Sequence, residues 1–408
     1  MSTQKVIGSD YEPLIPANDL AYVELSIVIP ALNEEATVGT FVDWCNEGIK
    51  RIDIPTEILI IDSSDDKTAE IALSKGARVL KVPRLGLGRA YIDALPHIRG
   101  KYTILGDCDC TYDFRELKPF VDKFKQGYEF IMGSRFAGSI EPGAMPLLHQ
   151  YFGSPATTYF FDVIFNQKFS DIHCGMRGVT LDGLKRMQLK SQSWQYASEM
   201  IIKAIYLELK ITEIPIKFYK DINGRVSHHK RRGFAEPWIA GWYTLKNTFV
   251  YRTDFFLISP GFICFALGLA LVLLLAGGEK VVGGLGFSFY WQMLGAFLSV
   301  LGAHLIFSGV LARILYDFHG DTTKKWVAIF PYNRSIVISM ILITIGLAAV
   351  FPFLRDYFVN DFRLPSNPSS GHLAITGMVF IVLSFINFTS TLLIHAASLS
   401  KDTKHDFS

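Results

Sequence analysis

The chain has 408 residues, 50% of them hydrophobic and 19% charged, with a formal net charge of +2 and a mean hydropathy of +0.27. These values exclude a disordered chain, a collagen-like repeat and a small disulfide-stapled module. The average hides a division: only 16 of the 78 Asp, Glu, Lys and Arg residues fall in positions 255–408, so the first part reads as a water-soluble domain and the second as a membrane domain.

The opening stretch MSTQKVIGSDYEPLIPANDL has no apolar run behind a basic start, so no secretory leader is expected and the first domain is expected in the cytosol. Leu25 to Pro30 (LSIVIP) is a short, β-branched apolar run that ends at proline, followed by Asn33, Glu34, Glu35 and a helical pattern through Trp44. Glu57 to Ile61 (EILII) is a second strand, closed by DSSDDKT and followed by the helix-like TAEIALSKGA. Ala77 to Val82, Tyr102 to Leu105 and Phe130 to Met132 supply a third, fourth and fifth. Short strands alternating with helical segments predict an α/β domain with a mostly parallel sheet covered by helices on both faces. Ligands of such sheets bind beyond the carboxyl ends of the strands, where this chain places Asn33 and Glu34, Asp62, and Asp107 with Asp109.

Asp107 and Asp109, in GDCDCTYD, follow a buried strand immediately. Where the chain leaves the pleat both carboxylates can turn to one cation, and hard oxygen ligands suit Mg²⁺ or Mn²⁺ holding a diphosphate; the alternative is a plain acidic turn. Cys108 and Cys110 raise a soft-metal site, which lacks a second thiol or His pair, and Cys110 reads as a small apolar group. Asp62 can contact a ribose or base, or belong with Ser64 and Asp66 to a helix cap. Gly86 to Gly88 fails the dinucleotide fingerprint, because Tyr91 stands where the third glycine belongs; a phosphate approach and an ordinary turn both remain. Arg135, His149, Arg177, Arg225, His228 and His229 sit in sequence contexts of exposed loops, and arginines near an acidic metal site suit an anionic substrate.

Between Lys217 and Arg252 eight Lys or Arg face two acids. This basic collar suits anionic headgroups or a phosphate-bearing lipid and not nucleic acid. Pro237 to Arg252 alternates aromatics with Lys246 and Arg252 and predicts an interfacial helix. Four apolar stretches follow: Phe255 to Gly278, one starting near Tyr290, Ser335 to Leu354, and His372 to about Ser398. Each is long enough to cross a bilayer. The basic loop between the second and third, with Arg313, Lys324, Lys325 and Arg334, predicts both termini on the cytosolic side. No Asp, Glu, Lys or Arg lies in the spans, which argues against a transporter and leaves His304 as the candidate polar relay. The five cysteines form no regular framework and are expected as free thiols. The expected organisation is an extension at 1–23, a catalytic domain at 24–233, an interfacial helix at 234–254, a transmembrane domain at 255–400 and a cytosolic tail at 401–408.

Taken in order, SIVIPALNEE, IIDSSDDKTAEIA, GLGRA, GDCDCTYD, MGSR, MPLLHQYFGSP, DIHCGMRG, SEM and GRVSHH resemble the GT-A glycosyltransferases of family 2. Within that family the pattern is similar to the polyprenyl-phosphate glycosyltransferases, the dolichyl-phosphate mannose synthase-like and bacterial glucosyl-carrier group. The resemblance covers roughly residues 24–253. It implies a GT-A domain followed by membrane helices, and transfer of a hexosyl unit from a UDP- or GDP-linked donor to a polyprenyl phosphate. By the same resemblance Pro30, Leu32, Asn33, Glu34 and Asp62 line the nucleotide pocket, and Asp107 and Asp109, with Cys108 between them, hold the metal and the donor diphosphate. Arg135 and His149 face the lipid phosphate, and Arg225 with His228 closes over the phosphates. Leu32 stands where a Tyr is frequent and His149 where some members carry Arg. A processive polysaccharide synthase is a second reading, weakened by QSWQYASEM in place of a Q-x-x-R-W element. An inactive membrane assembly partner is a third, and a homo-oligomer is compatible with any of them.

Overall fold

A computed structural model describes residues 11–222, 236–317, 320–363 and 368–405. The chain forms two compact units, Met1–Thr248 and Phe249–Ser408.

The first unit is built on a seven-stranded sheet. Its strands are β1 (Leu25–Ala31), β2 (Thr56–Asp62), β3 (Arg78–Lys81), β4 (Tyr102–Leu105), β5 (Phe130–Ile140), β6 (Arg177–Thr180) and β7 (Ile211–Phe218). The order is β3-β2-β1-β4-β6-β5-β7, and only β6 runs against its neighbours. Every residue of β2 is buried, the outcome expected when helices cover both faces of a parallel strand. Leu25, Ile27, Ile29, Phe41, Val42, Ile58, Ile60, Ile104 and Phe114 share one core.

Register explains why the polar residues converge. Ala31 pairs with Asp62 at the ends of β1 and β2, Asp62 pairs with Lys81 at the end of β3, and Val28 pairs with Leu105 at the end of β4. The loops after β1, β2 and β4 therefore leave the same edge of the sheet. At the opposite edge the buried Glu57 carboxylate binds Arg78 at 2.6 Å, Arg99 at 2.7 Å and the Ser26 hydroxyl at 2.6 Å. Arg99 also grips Asp19, tying the segment before β1 to the sheet.

The structure extends the sheet beyond the predicted strands. β5 runs past Met132 to Ile140, with a register shift against β7 between Ser134 and Ser139. β6 and β7 are additional. β6 is only four residues long, and Pro215 interrupts the pattern of β7, which tolerates it as an edge strand because no ladder bond is required of it on that side.

A helix covers Glu236–Tyr251. Within the first unit its Asn247 donates to the Gln195 carbonyl at 3.2 Å and to the Ser198 hydroxyl at 2.9 Å. Among the described residues of the second unit four helices are long and apolar enough to cross a membrane, within Thr253–Leu274, Phe289–Leu315, Asp321–Val359 and Ser369–Leu399. The first two pack through glycines spaced by seven. A Cβ on Gly268 would stand 2.4 Å from the Ser299 nitrogen, and one on Gly302 would stand 2.3 Å from the Phe265 nitrogen. Small residues thus allow the backbone contact that drives helix association in lipid. The last two helices add hydrogen bonds, from Ser384 Oγ to the Ser339 carbonyl at 2.7 Å and from Asn387 to Ser335 and Ser339 at 2.9 Å.

One expectation for this unit is corrected. His304 faces outward, whereas His372 is buried and shares a 2.6 Å hydrogen bond with Gln292, and His395 meets the Phe330 carbonyl at 2.9 Å. These two imidazoles fasten helices together, so the polar groups of the bundle are packing contacts.

Candidate functional site

At the end of β1 the chain turns sharply, with Pro30 and Leu32 half-buried and Asn33 exposed at φ +55°. Asparagine tolerates that left-handed conformation better than most residues. The turn is stitched to the loop after β2. The Asn33 N–H donates to Ser64 Oγ at 2.7 Å, Asn33 Oδ1 accepts from the Asp65 N–H at 3.1 Å, and the Glu34 N–H donates to Thr68 Oγ1 at 2.9 Å. Glu34 is itself buried, and its carboxylate accepts from the Thr37 hydroxyl at 2.7 Å.

Asp62, 2% exposed, ends β2. Its Oδ1 accepts the Ser64 N–H at 3.1 Å. Its Oδ2 has no hydrogen-bond partner among the described residues, and the Lys81 ammonium stands 3.9 Å away. Burial pushes the Asp62 carboxyl above its ordinary value, against the lowering effect of the Ser64 bonds and Lys81. A cleft of about 320 Å³ opens here, walled by Asp62 to Asp65 on one side and Lys81 to Arg84 on the other.

Asp107 and Asp109 follow β4, both half-buried. Asp109 Oδ1 accepts the Thr111 N–H at 3.0 Å and the Thr111 hydroxyl at 2.6 Å, which fixes the carboxylate. Cys110 takes φ +59° with its side chain in the core, so the chain leaves the pleat at this point. Cys108 is also buried, and burial, reinforced by Glu34, pushes its thiol well above the ordinary range. It is therefore an uncharged group beneath the acids.

Room is kept beside Asp107 by Gly175, where a Cβ would approach Asp107 Oδ2 to 2.7 Å and Tyr112 to 3.2 Å. The Gly175 N–H donates to the Tyr112 hydroxyl at 2.8 Å. Among the described residues no three His, Cys, Asp or Glu side chains form a metal cage. Two half-buried carboxylates nevertheless fit Mg²⁺ or Mn²⁺, which take one or two protein carboxylates and complete their shell with water and phosphate oxygens.

The arginines expected in exposed loops are corrected. Arg135 lies in β5 and Arg177 begins β6, at 8% and 1% exposure. Arg135 is tied to Asp171 by Nε at 2.7 Å and Nη2 at 2.8 Å and stands 5.2 Å over the Phe218 ring. Arg177 donates to the Cys174 and Ile172 carbonyls at 2.8 and 2.9 Å, bracing the loop that carries Gly175. Buried strand positions accept these cations because the carboxylate or carbonyls satisfy them. His173, in the same loop, shares a 2.7 Å hydrogen bond with Thr157 Oγ1. Burial, with Arg135 next in effect, pushes its imidazole down to about 4.

His149 is half-buried in a wide helical turn, His149–Gly153. Around it Leu147, Leu148, Tyr151 and Phe152 are 71, 57, 74 and 65% exposed. Arg225, His228 and His229 lie outside the described residues.

The glycine turn has a local explanation. Gly86 adopts φ +111°, and a Cβ there would stand 2.3 Å from the Gln192 carbonyl oxygen; at Gly88 it would meet that of Ser191 at 2.1 Å. The backbone that these glycines admit is the chain's own 191–193 segment. That segment is held by Glu199, which accepts the Lys190 and Ser191 N–H groups and pairs with Lys203 at 2.6 Å.

Sequence reasoning brought Asn33, Glu34, Asp62, Asp107 and Asp109 to one sheet edge and missed Lys81, Tyr112, Asp171, His173 and Gly175. Asp171, His173 and Gly175 lie in the DIHCGMRG motif, where only the arginine had been singled out. For Lys81 the signal is strand register, which a single segment does not carry.

Comparison with known proteins gives the family. Residues 26–187 match the family described as Glycosyl transferase family 2, and 315–398 match the Glycosyltransferase family 2 C-terminal transmembrane region. A low-salt glycan biosynthesis hexosyltransferase of Haloferax volcanii is 33% identical over 355 residues, covering 85% of this chain and 83% of that protein. A dolichyl-phosphate hexose transferase of the same organism is 28% identical over 201 residues, covering 49% of this chain and 85% of that protein. Among solved structures, glucosyl-3-phosphoglycerate synthase from Mycobacterium tuberculosis, in complex with Mn²⁺, UDP and glucosyl-3-phosphoglycerate, aligns at 19% identity. That alignment has a TM-score of 0.41 over 54% of this chain and 78% of that one.

Proposed function

The chain belongs to glycosyltransferase family 2, and from that premise we propose that it transfers a hexosyl unit from a UDP- or GDP-linked donor to the phosphate of a polyprenyl lipid. The transfer takes place at the cytosolic face of the membrane and inverts the anomeric centre. The observation that carries the acceptor is the exposed apolar strip Leu147, Leu148, Tyr151 and Phe152 around His149. A water-soluble acceptor gives no reason for four large apolar side chains beside a phosphate-facing residue, whereas a prenyl chain covers them. The name of the dolichyl-phosphate relative supports the same acceptor.

In this reading Pro30, Leu32, Asn33, Glu34 and Asp62 line the nucleotide pocket. Asp107 and Asp109 hold Mg²⁺ or Mn²⁺, which when bound neutralises the departing diphosphate. A phosphate monoester is already ionised at neutral pH, so its oxygen attacks without a strong protein base, and catalysis rests on positioning and charge. His149 faces the acceptor phosphate. Arg135, with Nε and Nη2 committed to Asp171, contributes a fixed positive charge and its Nη1 edge. Arg225 and His228 keep their place over the phosphates by resemblance. The test incubates membranes containing the protein with polyprenyl phosphate and labelled UDP-glucose or GDP-mannose, then extracts lipid. Label in the lipid fraction that depends on Asp107 supports the proposal. No label with any common nucleotide sugar counts against it.

A further inference from the structure

We propose that the paired ends of the first two spans bind the phosphodiester headgroup of an anionic membrane lipid, through Arg313 together with Arg252. Gly261 meets Ile306 and Gly268 meets Ser299, so these helices run antiparallel and the start of Thr253–Leu274 lies beside the end of Phe289–Leu315. There Asp254, 7% exposed, bridges two guanidinium groups: its Oδ1 accepts from Arg252 Nε at 3.2 Å and its Oδ2 from Arg313 Nη1 at 2.8 Å. One arginine neutralises a carboxylate, so the second leaves a positive charge in excess. Asp317, one turn beyond Arg313, is turned to its own loop: it accepts the Gly320 N–H at 3.0 Å and the Thr323 N–H and hydroxyl, each at 2.6 Å.

Arg313 presents the excess charge outward. Its side chain is 36% exposed, and its Nε and Nη2 make no hydrogen bond among the described residues. That edge of a guanidinium matches two oxygens of one phosphate, and the bond from Nη1 to Asp254 holds it in place. The surroundings are those of a lipid and not of a soluble anion. Phe255 and Leu315, next to these arginines, are 40% and 62% exposed, and acyl chains cover such side chains at the end of a span. Tyr251 and Tyr316 pair at 5.0 Å between ring centroids, the amphipathic rings expected at headgroup level. One excess charge also selects the class of phosphate. A phosphodiester carries a single negative charge at neutral pH, whereas a monoester such as polyprenyl phosphate carries closer to two.

The test is competition binding to the full-length protein in an uncharged detergent at high salt, which screens dispersed charges. The probe is phosphatidylglycerol labelled with a fluorophore on its acyl chain and read by anisotropy. Unlabelled phosphatidylglycerol is expected to displace it about tenfold more effectively than zwitterionic phosphatidylcholine, the ratio for one charge-assisted contact. Inorganic phosphate is expected not to displace it, and farnesyl phosphate to do so no better than phosphatidylglycerol. Arg313→Gln leaves Asp254 its Arg252 partner, so no buried charge is stranded. This variant is expected to bind the probe about tenfold more weakly and to lose the preference over phosphatidylcholine. Lys325→Gln, at an exposed position of the next helix, is expected to change binding by less than about threefold. Equal displacement by the two phospholipids, or equal loss in the two variants, overturns the site. Displacement by inorganic phosphate makes the ligand a free anion, and tighter binding of farnesyl phosphate makes it the acceptor lipid; either result overturns the proposal. The wild-type competition does not depend on how the variants fold.

Discussion

Asp171 holds Arg135 by three hydrogen bonds: Nε to Oδ2 at 2.7 Å, Nη2 to Oδ1 at 2.8 Å and the Arg135 N–H to Oδ2 at 3.1 Å. Both side chains are buried. Removing one partner of such a pair strands a buried charge and costs about 3–5 kcal/mol, whereas replacing both by apolar groups is often neutral. Asp171→Ala is expected to destabilise the protein by about that amount, and the double variant Arg135→Met with Asp171→Leu to recover most of it. If Arg135 acts on the acceptor phosphate, the double variant stays inactive although folded. Thermal unfolding and lipid labelling of the same preparations separate the two roles, and full activity in the double variant would remove Arg135 from the mechanism. Burial alone would raise the Asp171 carboxyl, but the Arg135 bonds outweigh it and hold it below the ordinary 3.8. Its contribution to stability is therefore complete above that value and lost as pH falls below it.

Gly175 links the loop before β6 to the acid pair. A Cβ at this position would press on Asp107 Oδ2 at 2.7 Å and on Tyr112 at 3.2 Å. Gly175→Ala is expected to leave the fold intact, because the crowded atoms belong to side chains, and to raise the Mn²⁺ concentration needed for half-maximal UDP binding about tenfold or more. Asp107→Asn and Asp109→Asn are expected to abolish the metal dependence outright. An unchanged metal requirement in Gly175→Ala would place the cation away from Asp107.

Much of this site was legible because its residues end strands whose hydrophobic runs stand out. LSIVIP, EILII and YTIL are each followed within four residues by a polar residue of the site, so strand ends alone collected Asn33, Glu34, Asp62, Asp107 and Asp109. Arg135 and Arg177 misled because a charged residue beside glycine looks like a loop; what buries them is a partner far along the chain for one and carbonyls of a folded loop for the other. Lys81 was invisible because its role depends on pairing with Asp62, nineteen positions away, across β2 and β3. The glycine turn shows the same limit. The segment that needs Gly86 and Gly88 lies more than a hundred residues downstream.

His173 gives stability a second pH dependence, in a different window. It is packed among Asp171, Arg135, Arg177 and His149, and its imidazole is pushed from 6.5 down to about 4. A histidine held neutral in the fold binds its proton more readily when unfolded. Its stabilising effect is thus present above pH 6.5 and lost as pH falls toward 4, unlike that of Asp171, which fades only below 3.8. His173→Gln, which can keep the hydrogen bond to Thr157, is expected to flatten the stability profile between these limits by about 3 kcal/mol. Denaturant unfolding at half-unit pH steps reads this directly. A variant with the wild-type slope would show that the ring is not what titrates.

The apolar strip allows a test that distinguishes the two proposed substrates. Leu148 and Phe152 are 57% and 65% exposed and flank His149, while the cleft at Asp62 is lined by different segments, 62–65 and 81–84. Leu148→Asp with Phe152→Asp therefore removes apolar surface without touching the nucleotide contacts. Exposed positions tolerate such changes within about 0.5 kcal/mol of stability. If a prenyl chain covers the strip, each lost side chain forfeits about 1.5–3 kcal/mol of burial at most, so the KM for polyprenyl phosphate is expected to rise by about tenfold or more. UDP binding in the presence of Mn²⁺ is expected to stay at the wild-type value, because nothing in the cleft has changed. Shortening the acceptor to a water-soluble isoprenyl phosphate sharpens the contrast: the wild type should lose affinity on truncation and the double variant should not. Equal loss in both would mean that the lipid lies elsewhere and that the strip serves another contact.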